Sequence, residues 1–194
     1  MGVLFAVPAG LAGMADRRWE TIESETAYSC GGFDIVRERV ELPDGTDAAF
    51  DYLTEGESVV ILPFTDDGEV VVIDEWRHAV KRDNHGLPAG SMEPDEEPET
   101  AVRRELREET GYEADEIERL AGFEPANGYC DSYFHYYVAR GCERTGDQSL
   151  DTDETIDVST TSFDELLEAV RTGELQDGRS ATGIIYYALF EDRA

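Results

Sequence analysis

Counted from Glu105, Glu108 lies three residues on and Glu109 four. A helix turning about 100° per residue returns such positions to one face, so the three carboxylates would share an arc of about 100°. Carboxylates crowded in this way repel one another and resist full ionisation unless a cation sits among them. Hard oxygen donors suit Mg²⁺ or Mn²⁺ rather than zinc. Arg104, just before the cluster, can pair with a carboxylate and fix its rotamer. The bland alternative is a solvated acidic face, and the wider spacing around the cluster decides between the two.

The elements that must carry these residues follow from local pattern. Residues 98–110 are predicted as a helix, with Pro98 near its start, Glu97 and Glu99 at its positive end, and Gly111 placed to stop it. Val102 and Leu106 lie to one side of the acidic arc and can anchor the helix on a sheet. Upstream, residues 33–40 alternate as a strand and end at Pro43-Asp44-Gly45, a turn signal, and residues 48–53 follow. Residues 58–63 and 70–76 are rich in β-branched residues and flank Asp66-Asp67-Gly68, a hairpin signal. Residues 118–123 and 133–139 read as further strands. Residues 163–170 have apolar positions at helical spacing, and residues 181–190 read as a last helix despite an Ile-Ile-Tyr-Tyr run that suits a strand. A strand-rich first half, a central helix, more strands and C-terminal helices predict an α+β fold, or a mixed sheet between helices.

Composition narrows the function classes. The 194 residues carry 45 acidic and 16 basic side chains, a formal charge of −29, and Lys81 is the single lysine. Such a chain is no polycation for gripping nucleic acid by its phosphates. No apolar run is long enough to cross a bilayer. Acidic residues are scattered through nearly every segment, so the charge belongs to the folded surface and opposes compaction in dilute buffer. At molar salt the Debye length falls to about 3 Å, which predicts a cytoplasmic protein of a salt-accumulating halophile. Cys30, Cys130 and Cys142 form no CxxC pair and leave one thiol over, which fits reduced cysteines. His78, His85 and His135 show no ligand spacing. Residues 1–16 are apolar without a basic flank, unlike a secretory signal, and are expected to be a loose extension.

The decisive spacing is Gly90, five residues, Glu96, seven residues, then Arg104-Glu105-Leu106-x-Glu108-Glu109-x-Gly111. It resembles the signature of the Nudix hydrolase family, with Tyr112 where the family usually has an aliphatic residue. The resemblance implies a mixed β-sheet between helices (an α/β/α sandwich), with the signature forming a loop–helix–loop. It also implies divalent-cation-dependent hydrolysis of a nucleoside diphosphate linked to another moiety. By matched position, Glu105, Glu108 and Glu109 would bind the metal, and the carbonyl of Gly90 or Ala89 could add a ligand. Glu96, Arg104 and Gly111 would support the motif.

Most of residues 19–191 further resembles the ADP-ribose pyrophosphatase branch. The marks are Leu87-Pro88-Ala89-Gly90, the run 40–45 followed by Asp74-Glu75-Trp76-Arg77, the acidic run 151–158, and the segments 163–167 and 172–177. That branch implies cleavage of ADP-ribose to AMP and ribose 5-phosphate by homodimers that exchange N-terminal strands. Residues 17–57 would be that dimer-forming strand region and 58–194 the hydrolase domain. Glu154 stands where the branch has a mobile glutamate serving as base or metal ligand, with Asp153 as its alternate, or it is a solvated turn acid. Arg77 stands where the branch has a substrate-contacting arginine. Trp19 and Tyr28 are candidates to stack on adenine, whereas Phe33 reads better as strand core or dimer contact. Two departures, Gly86 where Glu is common and Ala126-Asn127-Gly128 where Ser-Pro-Gly is typical, bear on substrate choice. Other nucleotides (dinucleotides or damaged triphosphates), or binding of ADP-ribose without cleavage, are the competing functions.

Overall fold

The computed structural model describes residues 17–152 and 154–191, so the expected extension over residues 1–16 and Asp153 lie outside the described residues. The chain divides into two compact units between Thr54 and Glu55.

The first unit is an antiparallel meander of β1 (Glu20–Ser29), β2 (Asp34–Glu41) and β3 (Asp47–Thr54). The expected turn is present: Gly45 N–H donates to Leu42 O at 2.9 Å and Leu42 N–H to Thr46 O at 2.9 Å. Cross-strand charge pairs hold its surface, with Arg37 bidentate on Asp51 at 2.8 and 3.1 Å. All ten residues of β1 are exposed. Its polar sequence gives no alternation to read, and its pairing comes wholly from β2.

The second unit contains β4 (Glu57–Pro63), β5 (Glu69–Arg77), β6 (Arg82–Gly86), β7 (Ala89–Ser91), α1 (Pro98–Thr110), β8 (Tyr112–Glu113), β9 (Glu116–Phe123), β10 (Tyr133–Arg140), β11 (Glu143–Arg144), β12 (Ile156–Ser162), α2 (Phe163–Thr172) and α3 (Gly178–Phe190). One sheet runs β7-β4-β10-β9, with β4 and β10 parallel and the other pairs antiparallel; a second runs β12-β5-β6, and β8 pairs β11. The α+β expectation therefore holds, with α1 on one face of the mixed sheet and α2 and α3 on the other. Period-two alternation in β4 does this. Val60 and Leu62 pack with Val70, Val72, Leu166, Ile184 and Tyr187, whereas Val59 and Ile61 pack with Ala101, Val102 and Leu106 of α1. Each such buried aliphatic side chain contributes about 1.5–3 kcal/mol.

The hairpin expected across residues 66–68 is corrected. The chain turns there, with Thr65 N–H donating to Glu69 O at 2.9 Å and one bridge between Phe64 and Val70. Beyond that bridge β4 and β5 join different sheets. Both strands are apolar on both faces, so each needs cover on two sides and the two meet through side chains rather than as a ladder. The last helix begins earlier than expected, at Gly178, because the Asp177 carboxylate accepts from Ser180 N–H at 3.3 Å and caps it. No described helix is long and apolar enough to cross a membrane.

Candidate active site

Helix α1 carries the acidic cluster as its spacing predicts. Pro98 opens it, and Gly111 closes it in the left-handed region (φ 75°), its N–H donating to Arg107 O. The apolar side, Val102 and Leu106, is fully buried. The helix therefore cannot roll, and the arc with Glu105, Glu108 and Glu109 points where the β7 loop passes.

Arg104 ties the motif together. Its guanidinium is bidentate on Glu96 at 3.0 and 2.8 Å, donates to Glu105 at 2.7 Å and Glu108 at 3.2 Å, and reaches Ser91 O at 2.9 Å. Paired in this way, the Glu96 carboxyl is held below its ordinary range. Glu96 also accepts from Glu93 N–H at 2.9 Å, closing the loop that precedes α1. Glu96 and Arg104 thus tie the loop to the helix.

Glu109 is 2% exposed and Glu105 8%. Burial pushes the Glu109 carboxyl well above its usual value, and the neighbouring Glu105 pushes further, while the Ala89 N–H, donating at 2.9 Å, pulls it back. Burial also raises Glu105, against the pull of Arg104. Glu108 is the open member of the cluster, its side chain 43% exposed. A Cβ at Gly90 would stand 2.1 Å from the Glu105 carboxyl carbon, so a side chain there displaces that carboxylate.

Two residues that the sequence reading passed over complete the frame. Gln148 Nε2 donates to Glu109 O at 2.7 Å and to Ile156 O at 3.1 Å, binding the loop before β12 to the end of α1. That loop carries Glu154, half-buried, whose carboxylate accepts from Asp151 N–H at 2.9 Å. The charge of Glu154 raises Glu105, Glu109 and Glu75 alike, so it belongs to the same electrostatic group. Glu75 on β5 is the second omission, 8% exposed and paired with Arg77 at 2.7 Å. Gln148 has no local signal, since its partners are backbone carbonyls of other elements, and what sets Glu75 apart is its burial, which its neighbours in sequence do not show.

Gly86 has its own explanation. A Cβ there would lie 2.5 Å from Ser180 Oγ, which accepts from Leu87 N–H at 2.8 Å and donates to Asp177 at 2.6 Å. A side chain at residue 86 would push the Ser180 hydroxyl off the Leu87 N–H. Trp19 and Tyr28 lie in the first unit, 50% and 58% exposed, Trp19 edge-on to Phe50 and Tyr28 against Phe33. His85 pairs with Asp74 at 3.0 Å and His135 with Glu57, each a two-residue contact. Burial pushes the Cys142 thiol up to about 12.

The donor set suits a hard divalent cation. Two desolvated carboxylates, Glu105 and Glu109, lie against the Ala89–Gly90 backbone, and Glu108, three residues on from Glu105, is open to solvent. Among the described residues no three His, Cys, Asp or Glu side chains form a ready metal cage. Glu105 and Glu108 both turn an oxygen onto Arg104.

A mixed sheet between helices, with a braced loop and a helix presenting three glutamates, defines a class. The NUDIX domain pattern matches residues 54–180, and the chain belongs to the Nudix family as a Nudix hydrolase. It is 31% identical over 173 residues to an ADP-ribose pyrophosphatase of Bacillus subtilis, covering 89% of this chain and 94% of that protein. It is 29% identical over 173 residues to a methanol dehydrogenase activator of Bacillus methanolicus, with the same coverage. The crystal structure of an ADP compounds hydrolase superposes with a TM-score of 0.78 at 19% identity, over 89% of this chain and 93% of that one, a likeness of fold.

Proposed function

We propose that this protein hydrolyses the diphosphate bond of a nucleoside diphosphate sugar, converting ADP-ribose and water to AMP and ribose 5-phosphate. One P–O bond of the bridge breaks, one forms to the water oxygen, and the water's protons pass to the products and solvent. The observation that carries this reading is the burial of the Glu105 and Glu109 carboxylates against the Ala89–Gly90 backbone. Apolar side chains would fill that space at lower cost, so the carboxylates are there for chemistry. The pyrophosphatase relative, matched along most of its length, supports the substrate class.

Glu105, Glu108 and Glu109 would hold Mg²⁺ or Mn²⁺, with a carbonyl of Ala89 or Gly90 as a further donor. Such a cation, when bound, offsets diphosphate charge and lowers the pKa of a bound water. Arg104 and Glu96 keep the carboxylates in place, and the Ala89 N–H orients Glu109. Glu154 takes the proton from the attacking water or adds a carboxylate to the cluster, and Arg77 offers its guanidinium to a phosphate or the terminal ribose. Trp19 and Tyr28 serve as adenine contacts in a homodimer built by exchanged N-terminal strands. With −29 formal charges the protein works in a salt-rich cytoplasm.

The test is a hydrolysis panel in molar KCl with Mg²⁺ that follows formation of the nucleoside monophosphate, comparing ADP-ribose, other nucleotide sugars, dinucleotides and triphosphates. ADP-ribose is expected to give the highest kcat/KM, and preference for a triphosphate overturns the assignment.

A further inference from the structure

We infer that Glu75 is a positioning residue for this reaction, holding Arg77 so that its guanidinium meets the substrate already oriented. The inference rests on the hydrolase reading above and adds a residue to it.

Residues 75 and 77 fall on one face of β5, since side chains alternate along a strand. That strand is central in its sheet, with Glu75 opposite Ile156 on β12 and Asn84 on β6. The pair is lopsided: the Glu75 side chain is 10% exposed and that of Arg77 36%, with Glu75 Oε2 and Arg77 Nη2 2.7 Å apart. The carboxylate is thus buried and the arginine side chain partly open. Among the described residues Arg77 Nε is buried without a hydrogen-bond partner, and Glu75 is the carboxylate paired with the guanidinium. Glu75 is disfavoured as an ion by burial and by the charges of Glu154 and Asp177, and Arg77 and Arg179 offset this. A buried carboxylate set among other carboxylates gains nothing for packing. What it does gain is a preset arginine: a free arginine loses side-chain freedom when it grips a ligand, and one already held loses less.

Steady-state kinetics of the full chain with Mg²⁺ and ADP-ribose test this. Arg77→Ala and Glu75→Ala are each expected to raise KM about tenfold while kcat falls less than about threefold, the pattern of lost ground-state binding. The double variant should be no worse than Arg77→Ala alone, because Glu75 acts through Arg77. Glu75→Gln keeps an oxygen for Nη2 and should restore KM to within about threefold of the starting protein. If melting shows Glu75→Ala unfolded, Glu75→Asp, whose shorter chain withdraws the carboxylate, takes its place. Additive losses in the double variant, or an unchanged KM in folded Glu75→Ala, overturn the inference while leaving the hydrolase reading intact. An unsubstituted protein that turns over no member of the panel overturns both.

Discussion

Asp51 in the first unit and the Glu105–Glu109 cluster in the second do opposite work with the same carboxyl group. In the N-terminal sheet the carboxylate sits in water: Arg37 and Asp51 pair with side chains 53% and 48% exposed, and the Asp51 carboxyl is held below its ordinary value by that arginine. In the second unit Glu105 and Glu109 are driven up by burial. The side-chain chemistry is the same, and desolvation reverses the sign. A solvated carboxylate keeps a surface charged; a desolvated one is poised to take a cation.

Breaking the buried group should have the largest effect. Glu109→Gln is expected to cut turnover about a thousandfold with the fold intact by circular dichroism. The same variant gives the sign of the pH dependence. The Glu109 carboxyl is raised in the folded state, so without divalent ions its ionisation destabilises the fold as pH rises from about 4.5 through that raised value. Glu109→Gln should therefore melt progressively higher than the unsubstituted protein as pH rises above about 4.5 in EDTA; a constant difference contradicts the desolvation argument. Gly90→Ala comes next, since its Cβ must push Glu105 aside. Activity should drop about a hundredfold, with melting changed little. Smaller still is the response of the surface charges: molar KCl should raise the melting temperature over dilute buffer, and equal stability in both refutes the salt-adapted reading. Arg37→Ala should leave the melting temperature almost unchanged, because exposed pairs contribute little.

The site was half legible before any fold was known. The spacing of Glu105, Glu108 and Glu109 places them on one helical arc, and Pro98 and Gly111 bound that helix; these are relations within a few residues. Gln148 was not legible, since it holds the far end of α1, and Glu75 was not, since nothing beside it in sequence shows that it is buried. The same division runs through the fold. The turn at 66–68 was readable from Asp66-Asp67-Gly68, but the strands it joins belong to different sheets, and β1 gave no pattern because none of its residues is buried.

Sequence alone set which residues share a face, where α1 starts and stops, and which carboxylates are crowded, because backbone geometry fixes these over short separations. Only the tertiary structure decided which of 45 acids are removed from water, which arginine each meets, and how close β7 comes to Glu105. Desolvation is a property of everything packed around a group, and no run of neighbouring letters contains it.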